Sequence, residues 1–206
     1  MVLLRFPDTV RAYGDGAPLP DLPVVTPDSG EEFAISAALS AVRDAHGPVG
    51  AFIYLHGQPT GEPEVGDAPH TSVADAVRRP FILAKHLWSD LAAAAGAGWA
   101  GFFTVTRMDG ALGMTGQLPG GARGLAAGGL AGLTKTLRLE WPTVTCRAVD
   151  LAPELEPDRA AELLLGEICD PNRLVAEVGW GDRGRMTLEA GARQLSPVLE
   201  ETGHGA

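Results

Sequence analysis

Lysine is nearly absent from this chain: Lys85 and Lys135 are its only two, and arginine carries the remaining positive charge. Sixteen basic residues face 26 acidic ones, giving a net charge of −10 and an isoelectric point near 4.9. That balance repels phosphate backbones and argues against a nucleic-acid partner. Cysteine is equally scarce. Cys146 and Cys169 cannot build a disulfide framework, and no Cys-x-x-Cys is present for metal or redox work. Both are expected as buried free thiols in a reducing cytoplasm. No run of 18 apolar residues exists to span a membrane, and Val2–Leu4 is too short for the core of a secretory leader. His46, His56, His70, His86 and His204 are not spaced as a metal-ligand set, so no metal site is expected. Tyrosine stops at Tyr54, and no serine lies between Ser89 and Ser196.

What is present suits a single sizeable core, since 45% of 206 residues are apolar. Val2–Phe6 and Leu22–Thr26 read as short strands on either side of a Pro/Gly-rich loop. Asp28 or Ser29 caps a helix over about 31–45, whose Phe33, Ile35, Ala38, Leu39 and Val42 recur at helical spacing. Val49–Leu55 is apolar on both faces, the pattern of a buried parallel strand. After a polar loop, Ser72 and Asp75 resemble a capping box opening a helix to about 95, kinked or broken at Pro80. Strand 101–106, a Gly-rich loop 109–124, helix 125–140, strand 143–151, helix 157–169 and strands 174–180 and 185–189 complete the reading. The alternation of strands and helices predicts an α/β Rossmann-like fold, a parallel sheet flanked by helices, with no internal repeat. Residues 1–20 form an N-terminal strand and loop, 21–190 the Rossmann-like unit, and 191–206 a flexible tail or linker. The N-terminal strand is expected to close the sheet's edge or to pair with a partner domain.

Four segments in chain order resemble the short-chain dehydrogenase/reductase superfamily: AFIYLHG (51–57), residues 101–113, GLAGLTKTLRLEW (129–141) and CRAVDLAPE (146–154). The resemblance implies a glycine-rich cofactor loop, a serine, and a tyrosine with lysine one helical turn later. The serine position falls near Gly110, the tyrosine position on Arg123 and the lysine position on Ala127. None of these can polarise a carbonyl or pass a proton. Tyr-x-x-x-Lys is missing everywhere, and the first strands are followed by Pro7 and by Pro27-Asp28-Ser29-Gly30, not a glycine triplet. The one literal Gly-x-Gly-x-x-Gly (Gly96, Gly98, Gly101) follows a helix and precedes a strand. That is the reverse of a phosphate loop and fits a helix cap and turn.

A narrower resemblance runs through 81–113, 129–151, PNRLVAEVGW and RMTLEA to about residue 190. It is similar to the ketoreductase region of multidomain polyketide and polyunsaturated-fatty-acid synthases. There the ketoreductase is two joined Rossmann-like halves, the first truncated, free of cofactor and buttressing the second. The resemblance to that first half implies a non-catalytic structural subdomain that needs no cofactor and has no catalytic, cofactor-binding or metal residues. Its partners would be the catalytic half and other domains of the parent synthase. An excised half would expose an apolar face, and a homodimer could follow. The likeness, with the Gly-rich end 202–206, favours a piece cut from a longer protein. Two rival readings stand beside it: a divergent NAD(P)H-dependent reductase acting on a β-ketoacyl thioester, and a docking platform for an acyl carrier protein or another synthase domain.

Single residues read blandly. His56 is a hydrogen-bonded strand end, Arg107 and Asp109 hold backbone or pair with a charge, and Lys135 is solvated. Trp141 packs a core edge, and Glu154, Glu156 and Asp158 are a solvated helix start.

Overall fold

The computed structural model describes residues 1–6, 21–56, 73–115 and 122–189. The loop 58–70, the Ser72 cap, the tail 191–206, His70, His204 and the side chain of Arg123 lie outside them. The elements follow the expected order. β1 (Leu3–Leu4) and β2 (Val24–Val25) precede α1 (Glu32–His46), β3 (Ala51–Leu55), α2 (Val73–Gly96) and β4 (Gly101–Thr106). Then come α3 (Ala122–Glu140), β5 (Thr145–Leu151), α4 (Pro157–Cys169), β6 (Glu177–Gly181) and β7 (Gly184–Met186). Helix α2 runs unbroken through Pro80.

The main sheet has the order β3-β4-β5-β6-β7. Its first four strands are parallel, with Ala51 beside Gly101, Gly101 beside Thr145 and Ala148 beside Glu177. β7 returns antiparallel to β6 through a tight turn. β4 and β5 are buried along their whole length, as central strands covered on both faces must be. Two expectations fail here. β3 alternates exposed and half-buried residues, because among the described residues it is the edge of the sheet and none of them covers one of its faces. An apolar run alone does not separate an edge from a centre. The N-terminal strand does not close that edge either: β1 and β2 form their own parallel two-stranded sheet.

One face of the sheet carries the larger core, where Ile35 and Leu39 of α1, Leu83, Leu87 and Leu91 of α2 and Leu137 of α3 meet Phe102 and Cys146. Trp141 stacks on Trp88 at 5.1 Å and meets Phe102 edge-on at 5.8 Å, placing it in this core as expected. Thr104 of β4 and Thr134 of α3 share a buried hydroxyl hydrogen bond of 2.7 Å. Helix α4 covers the opposite face over Val105, Val149 and Leu151. Cys146 is buried, and desolvation pushes its thiol up to about 12. Cys169 is exposed at the end of α4, which corrects the expectation that both thiols are buried.

Candidate functional site

In an open parallel sheet the C-terminal ends of the strands are where ligands bind. Here that edge is occupied by the chain's own loop. After β4 the backbone turns over Met108–Thr115, and two carboxylates hold it. Asp109 accepts hydrogen bonds from the amides of Ala111 and Gly113 at 2.8 Å, the amide of Thr115 at 3.2 Å and the Thr115 hydroxyl at 2.6 Å. Asp150, at the end of β5 and fully buried, accepts from the amides of Met108 (2.8 Å), Leu112 (3.0 Å) and Asp109 (3.4 Å) and from the Thr106 hydroxyl (3.0 Å).

The two acids respond oppositely. Desolvation raises Asp109, but the Thr115 hydroxyl and the amides of Gly113, Ala111 and Thr115 outweigh it and hold the carboxyl at about 2. At Asp150 desolvation wins over the amides of Met108 and Leu112, and its acidity falls. The loop needs this anchoring, for Leu112 has φ 58°, a left-handed conformation costly for a branched side chain. Arg107 completes the turn from outside. Its guanidinium donates to the carbonyls of Ala152, Pro153 and Leu155 at 3.1, 2.9 and 2.5 Å, so Arg107 and Asp109 both hold backbone, as expected.

Gly110, near which the resemblance puts the serine, has φ 65° and lies against the end of β6. A Cβ there would stand 2.2 Å from the Trp180 carbonyl oxygen and 2.9 Å from the Ala152 Cβ. A Cβ on Gly179 would stand 2.4 Å from the Gly110 carbonyl oxygen. No side chain fits at this position. Ala127, where the lysine would fall, is buried in α3. His56 donates its main-chain N–H to Val105 O at 2.9 Å, its ring lies 6.4 Å from that of Tyr54, and burial lowers its basicity. Lys135 is half-exposed and pairs with Glu177 at 2.9 Å. Glu154, Glu156 and Asp158 are exposed at the start of α4.

The described residues at the start of the first helix do not fit a dinucleotide. The helix that follows the N-terminal strands opens with Glu31 and Glu32, a first turn that repels phosphate where a cofactor loop would attract it. Glu31 is instead bound by Arg78 through two bonds of 3.0 and 2.8 Å. Gly96 ends α2, Gly98 turns at φ 140° and Gly101 starts β4, a cap and turn. Among the described residues no group of three acidic, histidine or cysteine side chains could hold a metal, and no helix is long and apolar enough to cross a membrane.

A second polar cluster was not foreseen. Arg147, fully buried in β5, donates to the Glu167 carboxylate at 2.8 Å, to Asp170 at 3.1 Å and to the carbonyls of Glu167, Val175 and Asn172. Glu167 also accepts from Trp180 Nε1 at 2.9 Å and Arg185 Nε at 2.7 Å. Four elements (β5, α4, β6 and β7) are thus tied to one carboxylate. The signal was available: Arg147 and Asp150 interrupt an otherwise apolar strand, and buried charges are retained only with partners.

Comparison with known proteins bears on the fold. No family model matches the chain. It is 36% identical over 116 residues to one subunit of the polyunsaturated fatty acid synthase of Thraustochytrium sp.. That match takes in 53% of this chain and spans only 4% of the length of the synthase polypeptide. Among solved structures it resembles a metagenomic short-chain oxidoreductase in complex with NADP (TM-score 0.53, 21% identity, 76% of this chain and 72% of that one). It also resembles an apo SCOR enzyme from Clostridium thermocellum (TM-score 0.53, 10% identity, 73% and 68%). The fold is therefore the α/β Rossmann fold of the short-chain oxidoreductases, joined to a sequence related to a segment of a fatty acid synthase.

Proposed function

We propose that this chain is a non-catalytic structural subdomain of a synthase ketoreductase, with residues 21–190 as its Rossmann-like unit. Its role is to stabilise and orient a catalytic reductase half by burying surface against it. The observation that carries the reading is the packing of Gly110 on the Trp180 carbonyl, close to where the resemblance to short-chain reductases puts the serine. The carboxylates beside it, Asp109 and Asp150, are committed to main-chain amides. The sequence relation to a fatty acid synthase supports the setting.

Calorimetric titration with NADPH tests it. The expected outcome is no heat of binding and a cooperative melt that the cofactor leaves unchanged. Micromolar binding would overturn the proposal in favour of a divergent reductase.

A further inference from the structure

The end of α3 and the chain entering β6 hold each other through crossed arginines. Arg138 donates to Leu174 O at 2.7 Å, and Arg173 donates to Pro142 O at 3.2 Å. A carbonyl accepts the hydrogen bond but leaves the cation's charge uncancelled. Neither arginine is ion-paired among the described residues. The acids around them are engaged elsewhere: Glu177 by Lys135 at 2.9 Å, Asp170 by Arg147 and Arg185 at 3.1 and 3.0 Å. Glu140 is exposed and pairs with neither. Beside the two cations stand the most exposed leucines of the described chain, Leu139 at 81% and Leu174 at 82%. On a molecule of net charge −10, a patch that is both apolar and cationic calls for a ligand that is apolar and acidic.

The chain itself leads such a ligand to this place. β7 runs antiparallel to β6, with Gly181 beside Gly184 and Gly179 beside Met186. Thr187 Oγ1 then donates to Glu177 O at 2.8 Å. The chain leaving β7 therefore travels toward the start of β6, which Leu174 precedes by three residues. Residues 190–206 follow from there. Of the segments 7–20, 57–72, 116–121 and 190–206, only the last joins adjacent apolar residues to adjacent carboxylates, as Val198-Leu199-Glu200-Glu201. We infer that this tetrad docks on the patch of its own chain, Val198 and Leu199 on Leu139 and Leu174, Glu200 and Glu201 on Arg138 and Arg173. Surface ion pairs are individually weak, on the order of 1 kcal/mol or less. A short tether offsets that weakness, because it holds the segment at an effective concentration on the order of millimolar. An extended chain covers about 3.3 Å per residue, so the residues between Glu189 and Val198 give the tetrad slack to reach either arginine.

The test places a nitroxide spin label beside the tetrad, at Thr202→Cys, in the 206-residue protein. Cys169→Ser removes the exposed native thiol, and Cys146 is buried. In amide NMR spectra the signals of Leu139, Leu174 and Val175 are lost to the label and return when it is reduced. Glu200→Lys with Glu201→Lys keeps those signals, and adding Arg138→Glu with Arg173→Glu removes them again. Should the arginine variant fail to fold, about 0.5 M salt restores the signals in the labelled parent by screening the four charges. Three results would each overturn the inference. One is a label that broadens none of these amides, or broadens those of Met108 and Asp150 at the opposite end of the sheet. The second is broadening that survives the two glutamate substitutions. The third is broadening in isotope-enriched unlabelled protein mixed with unenriched labelled protein, which would mean that a second copy's segment occupies the patch.

Discussion

Asp109 and Asp150 grip the same loop, yet their acidities move in opposite directions. The folded Asp109 carboxyl sits at about 2, below its ordinary 3.8. Its stabilising contribution is present above 3.8 and is lost as the pH falls through about 2. Asp150 has the opposite sign: its buried charge costs stability at neutral pH, and protonation relieves that cost from the acid side. Asp109→Asn should therefore flatten the decline of stability between pH 3.8 and about 2, and cost about 1–2 kcal/mol at neutral pH. Urea titrations across that range measure both effects; an unchanged acid limb would show that Asp109 does not carry it. At Gly110, replacement by serine should cost about 3 kcal/mol, from the positive φ and the overpacked Cβ, and should not confer reductase activity. A Gly110→Ser protein with an unshifted melting temperature would contradict the packing described.

At the scale of elements, the buried Arg147–Glu167 pair is the fastening of the C-terminal third. Removing one partner leaves the other as an uncompensated buried charge, so Arg147→Met should cost about 3–5 kcal/mol. The loss should appear as a lower midpoint in denaturant melts followed by circular dichroism. Sequence legibility differs sharply between elements. β4, α3 and α4 are readable from the chain because β4 is a short β-forming run buried on both faces and the helices repeat their apolar residues at helical spacing. β3 has the same apolar text but a different position. Being an edge is a property of what lies beside a strand, and no local pattern encodes that. The tightly held loop is invisible for a related reason. Asp109 is near its amide partners in sequence, but Asp150 is 38 residues from Leu112, a pairing that exists only once β4 and β5 lie side by side. The missing tyrosine and serine, by contrast, need no fold at all, only the residue list.

For the molecule as a whole, the five-stranded sheet ends in the antiparallel strand β7 at one side and, among the described residues, in β3 at the other. The β7 side is polar and tied to Glu167; the β3 strand is apolar. The Gly110 contact has a further, historical consequence. A glycine codon can lie one base away from a serine codon, so an enzyme that had merely lost its serine could regain it in one step. Here the backbone of β6 fills the space, and Gly179 closes it from the other side. A serine introduced at position 110 alone would press its Cβ on the Trp180 carbonyl and damage the fold. Room for a side chain at position 110 would need the loop, the Trp180 carbonyl and Gly179 to move together, so one codon change there is coupled to changes in three segments of the scaffold.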